Sequence, residues 1–210
     1  TFLWINYSHL ATQDMVFSSL ITIGLYSSIK FHKDRKKIFL LASGLWIGLA
    51  FMMKTYLTII PLLALAPFLI YKKIFFKKLF WVGLIIGFIP FLIWSLKILS
   101  IYDFSVYSGL YKKLIYLSSE NHFSNPISYY LWNIPINIFP WSAFALIGII
   151  SSIKSKNIVE RYFLFFFPLI NIFLLSLFST KTPYYPLPIL SLISLNTYKG
   201  LFNTFSNKTI

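Results

Sequence analysis

From Ile38 to Tyr71 the chain is apolar or weakly polar with one exception, Lys54 near the middle of "GLAFMMKTYLTIIPLL" (Gly48 to Leu63). A helix spans a bilayer with about 20 apolar residues, roughly 17–25 being tolerated. This run is too long for one upright span, and a cation in mid-bilayer is costly. The run therefore either forms one oversized helix or folds back at Lys54.

The rest of the chain repeats the pattern. Apolar segments are expected at Met15–Phe31, Ile38–Met53, Thr55–Tyr71, Leu79–Leu96, Ile127–Ile150, Tyr162–Ser179 and about Tyr185–Tyr198. Only 11% of the 210 residues are charged, against about a quarter in soluble domains, and mean hydropathy is +0.74. The reading is all-α: a polytopic integral membrane helix bundle with about seven transmembrane helices in one domain over residues 1–210.

The net charge of +14 does not imply nucleic acid. The basic residues sit in short clusters between apolar runs, such as "HKDRKK" (32–37) and "KKIFFKK" (72–78), which is how topology signals are distributed. If the seven segments alternate across the bilayer, Lys54, Lys97, Lys112, Lys113 and Lys181 fall on one side and the other fourteen Lys and Arg residues on the opposite side. The richer side is assigned to the cytoplasm. The count also favours splitting Ile38–Tyr71 into two helices that meet at Lys54, because a single span would place "KKIFFKK" outside.

Polar chemistry then gathers on the outer face, with Asp14, Lys54, Glu120, His122 and Lys181. Lys54 would either snorkel to the headgroups or hold an anion, for which a lipid phosphate is the nearest abundant source. Asp14 opens a helix, where a carboxylate caps N–H groups and suits the dipole; across a bundle it could instead orient a lysine or bind a sugar hydroxyl. In "STKTPYYPLP" (179–188) three prolines stiffen the turn, and Lys181 beside Tyr184 and Tyr185 could hold a phosphate. Glu120 and His122 in "SSENHFSNP" can share a divalent metal, a weak signal with two ligands. The chain has no cysteine and shows no nucleotide-binding loop or zinc-protease motif.

Taken in order, "SGLWIGLAFMMKTYLTIIPLL", "PISYYLWNIPINIFPW" and "FSTKTPYYPLPILSL", after a helix headed by Asp14, resemble the lipid-linked-sugar glycosyltransferases. That family includes the lipid A aminoarabinose transferase and the protein O-mannosyltransferases, membrane enzymes of GT-C architecture. The matching positions are Gly44, Gly48 and Lys54; Tyr129, Tyr130, Pro140 and Trp141; and Lys181, Pro183 and Tyr185. The resemblance runs from about Asp14 to Asn196. It implies transfer of a sugar from a polyprenyl-phosphate donor to a lipid, protein or glycan acceptor on the non-cytoplasmic face. Lys54, Lys181 and Tyr185 would hold the donor phosphate, with Asp14 near the same cavity. It implies a bacterial inner (plasma) membrane location with the site facing the periplasm or exterior. It makes no cofactor certain and leaves a divalent metal possible, since some members carry a Glu/His metal site, which Glu120 and His122 match poorly.

Two departures matter. The family's catalytic aspartate lies in the first outer loop, which is expected upstream of Thr1, so the chain is expected to be an inactive piece of a longer protein extended at both ends. Thr55 also stands where relatives usually have Gly after the lysine. Two other classes fit the composition: a transporter or flippase for lipid-linked sugars, which would place broken helices and charge near the midplane, and a non-catalytic membrane scaffold.

Overall fold

The computed structural model describes residues 5, 12–102, 105–109, 111–112, 125–178 and 180–206. Its elements are helices: α1 (Gln13–Asp34), α2 (Lys37–Lys54), α3 (Ile59–Tyr71), α4 (Lys78–Tyr102), α5 (Tyr129–Asn137), α6 (Ser142–Ile153), α7 (Ile158–Leu177) and α8 (Leu190–Phe205). This is the all-α membrane architecture expected from the apolar runs.

Lys37–Tyr71 forms a continuous helical run of 35 residues, broken inside by a 3-10 turn at Thr55–Thr58. At 1.5 Å per residue a straight run would reach about 52 Å, well past the ~30 Å hydrocarbon core. The chain reverses instead. Lys54, at the end of α2, meets Asp14 at the start of α1, whereas Phe68, near the end of α3, meets His32 near the end of α1, with ring centroids 6.2 Å apart. The two halves therefore lead to opposite ends of the bundle, as the charge count required.

By length and hydropathy, three described helices can cross a membrane: Lys37–Tyr71, Lys78–Tyr102 and Ile158–Leu177. They become four if Tyr129–Asn137 and Ser142–Ile153 form one broken span. The expected count of seven is not reached by this measure. The single segment expected at Ile127–Ile150 is two helices bent by 117°. Pro135 and Pro140 lie in and after α5; each lacks the N–H that would continue a helical ladder.

Packing explains the order of the helices. Gly44 and Gly48 on α2 face Gly83 and Gly87 on α4 at backbone contact. A Cβ on Gly44 would lie 2.0 Å from the Phe80 carbonyl oxygen, and one on Gly87 would lie 2.2 Å from that of Leu45. In hydrocarbon, where burial from water cannot drive helices together, small residues at this spacing permit close approach. Gly24 of α1 likewise receives the indole of the buried Trp46. Phe68 packs against Tyr162 and Phe163 of α7, at 5.5 and 4.7 Å between centroids.

The last helix docks on the first: Ser18 Oγ donates to the Leu187 carbonyl at 2.9 Å, and Thr22 Oγ1 donates to Ser191 Oγ at 3.2 Å. Within α7, residues Tyr162–Phe166 form a π-helical turn. Asn196 Nδ2 of α8 donates to the Leu164 carbonyl in that turn at 2.7 Å. A side-chain amide thus satisfies backbone that lipid could not.

Candidate functional site

Asp14 occupies the first turn of α1, but it is not the helix cap. The cap position is Thr12, which makes no side-chain cap bond. The Asp14 carboxylate instead accepts from Lys54 Nζ at 2.7 Å, with the two side chains 13% and 17% exposed. The glycine contact with α4 and the Trp46 contact with α1 fix α2, and so carry its terminal Lys54 to this place. The ammonium also stands over the Tyr184 ring, 5.4 Å from its centroid, and desolvation strengthens such a cation–π contact.

Immediately after the lysine, Thr55 has φ 34° and ψ −104°. Positive φ is a setting that glycine enters freely and a β-branched residue resists. Glycine was the residue expected here from the family resemblance. Thr55 therefore holds a turn shaped for glycine, and the strain sits beside the ion pair.

Asp14, Tyr184 and Tyr185 line a narrow cleft with Phe17, Ile60 and Asn171. Tyr185 lies in the turn before the last helix, not inside it. Burial pushes its phenol up to about 12, and the neighbouring phenols of Tyr56 and Tyr184 and the Asp14 carboxylate act in the same direction. At neutral pH it is an uncharged O–H that can donate to an anion without repelling it. Asn171 went unnoticed in sequence; its signal was an amide inside the apolar run "FPLINIFLLSL", a pattern that marks interhelical contacts in membranes. Its Nδ2 donates to the Phe167 carbonyl at 2.9 Å, and its side chain is buried against the cleft.

Lys181 is placed differently. It is 4% exposed, and its Nζ donates to the carbonyls of Asn125 at 2.9 Å and Phe178 at 2.7 Å. Asn125 Nδ2 donates in return to the Lys181 carbonyl at 3.3 Å. Lys181 thus ties the start of the α5 segment to the "TKTPYYP" turn and does not line the cleft with Asp14. Tyr130, buried in α5, donates to the Thr182 carbonyl of the same turn at 3.4 Å. Glu120 and His122 lie outside the described residues, and among the described residues no group of three His, Asp or Glu side chains could hold a metal.

A second hollow adjoins the cleft. Tyr56, Ile59, Leu63, Leu174 and Phe178 line a groove of about 780 Å³, and Ile60 lines both spaces. The two hollows thus adjoin at Ile60, the first carrying Asp14 and two tyrosines and the second largely apolar and lined by α3 and α7.

Fold and site together define a polytopic helical membrane protein with a cleft beside a partly buried ion pair at one end. Residues 1–94 match the family model described as dolichyl-phosphate-mannose-protein mannosyltransferase, a stretch that contains both Asp14 and Lys54. Over that stretch, under half of the chain, the sequence is similar to this family of membrane glycosyltransferases. No curated protein and no solved structure matches the chain.

Proposed function

We propose that this chain forms the donor-binding part of a membrane glycosyltransferase that takes a sugar, mannose being the first candidate, from a polyprenyl-phosphate carrier. The observation that carries the reading is the Asp14–Lys54 ion pair beside a cleft that Asp14, Tyr184 and Tyr185 line, with Ile60 lining both that cleft and an apolar groove. A prenyl phosphate is a charged head on a long apolar tail, and the two hollows divide in the same way.

In the transfer, the bond between the anomeric carbon and the phosphate oxygen breaks, and negative charge builds on the phosphate. A preplaced cation in a water-poor site stabilises that charge with little reorganisation. Lys54 supplies the cation, and the Tyr185 hydroxyl supplies a neutral donor. Asp14, which lines the cleft, holds the ammonium beside it before the donor arrives. Lys181 acts through the turn it braces, holding Tyr184 and Tyr185 in place. The acceptor is a lipid, protein or glycan hydroxyl or amine. Its activation needs a base, a role that the family resemblance gives to an aspartate of an outer loop. The face is the outer one, by the distribution of lysines.

The test is sugar transfer by the protein in membranes, with polyprenyl-phosphate-mannose as donor. Lys54→Ala is expected to lower turnover by about 100-fold, the scale for removing one preorganised charge-stabilising donor. Unchanged turnover in a variant that still inserts into membranes would remove the main support for this reading.

A further inference from the structure

The opposite end of α2 holds a second built feature, unconnected with the sugar-donor cleft. Phe31, Leu40 and Leu79 floor a cleft of about 770 Å³ whose rim is Arg35, Lys37, Lys77 and Lys78. The Phe31 ring is 4% exposed and is flanked by two cations. The Arg35 guanidinium carbon lies 5.8 Å from the ring centroid and Lys77 Nζ 5.9 Å. One aromatic ring shared in this way draws like charges together.

Nothing acidic offsets them. Among the described residues, no carboxylate lies within ion-pair distance of any of these four cations; Asp34, the nearest acid in sequence, pairs with Lys30 at 3.2 Å. The backbone adds to the imbalance. Lys37 and Lys78 are the first residues of α2 and α4, neither first turn contains an acid, and the Lys36 cap makes no side-chain bond. A cation at a helix N-terminus opposes the positive end of the dipole. Here two such termini lie together because the four glycines press α2 against α4. Four cations and two dipoles of one sign, around one hollow, make a local positive field that favours an anion.

We propose that this cleft binds the phosphate of an anionic phospholipid from the adjoining leaflet. α2 is 18 residues long, about 27 Å, so its two ends reach opposite faces of a ~30 Å core. The hollow therefore lies at headgroup depth. Below it Ile38, Val82 and Ile85 are 63%, 43% and 60% exposed, giving acyl chains an apolar surface that a free phosphate would not use. Basic hollows between helices at the membrane surface suit anionic headgroups, and each lysine or arginine adds to the attraction.

The 210-residue chain, purified from vesicles of equal phosphatidylglycerol and phosphatidylcholine, is examined by native mass spectrometry for retained lipid. The wild type is expected to retain phosphatidylglycerol in preference to phosphatidylcholine. The triple variant Arg35→Gln, Lys37→Gln, Lys78→Gln should lower that preference about tenfold or more. Lys33→Gln, Lys73→Gln, Lys154→Gln, equal in charge but outside the cleft, should leave it near wild type. Equal losses in the two triples, or no lipid preference in the wild type, would overturn the proposal. So would displacement of the lipid by inorganic phosphate at millimolar concentration, which would make the site one for a free ion. If the first triple loses its helical circular-dichroism signal, Lys37→Gln and Lys78→Gln singly carry the test, each weakening retention about fivefold; no weakening in either would overturn it.

Discussion

A lysine only 17% exposed at the end of an apolar helix has given up most of its water, and its partners must replace that hydration. Asp14 does so at 2.7 Å and Tyr184 through its ring. Removing either charge strands the other, so each single substitution costs more than the net worth of the pair. Lys54→Ala and Asp14→Asn are each expected to destabilise the chain by about 1–3 kcal/mol, while the double variant loses less than their sum, with a coupling of about 1–2 kcal/mol. Denaturant unfolding in a fixed detergent measures this cycle, and strict additivity would mean that the pair carries no energy. The partnership was only half legible in sequence. Charge counting placed Asp14 and Lys54 on one face, but it left Asp14 with a capping role that Thr12 holds by position. For Lys181 it gave the correct turn but not the direction of the ammonium. That direction depends on carbonyls of Asn125 and Phe178, and backbone acceptors leave no trace in residue type.

At the scale of elements, α2 is set by glycine. The Gly44-x-x-x-Gly48 stretch was read in sequence as the approach to a lysine. Its physical role is to bring α2 into backbone contact with Gly83-x-x-x-Gly87 of α4, a pairing that needs both helices to be seen at once. Gly48→Leu would drive a side chain into the Gly87–Phe88 backbone and is expected to cost about 1–3 kcal/mol of stability. Ile85→Leu, on the exposed face of α4, should change the midpoint of thermal unfolding little. Equal effects from the two would show that α2 and α4 do not cross at these glycines. The break after Lys54 was legible because charge asymmetry is a whole-chain property that one misplaced span would spoil. The bend between α5 and α6 was not read, although Pro135 and Pro140 signalled it: a hydropathy window averages across a kink.

Across the whole molecule the two ends of α2 carry different chemistry. One end is an ion pair beside a cleft that shares Ile60 with an apolar groove; the other is a cluster of cations without a carboxylate partner among the described residues. The family match covers α1 to α3 and much of α4, so the Lys54 end falls within it, while the turn bearing Tyr184 and Tyr185 lies outside it and is held to α1 and Lys54 by tertiary contacts. Head and tail recognition should therefore depend on both parts together. The most direct measurement is binding of undecaprenyl phosphate and of undecaprenol, the same tail without the phosphate, to the chain in detergent. The wild type is expected to prefer the phosphate by about tenfold or more, the scale of one charge-assisted contact, and Lys54→Ala should erase that preference while retaining affinity for the alcohol. Equal affinity of the wild type for both lipids, or an undiminished phosphate preference in Lys54→Ala, would contradict the assignment of this cleft to the donor phosphate.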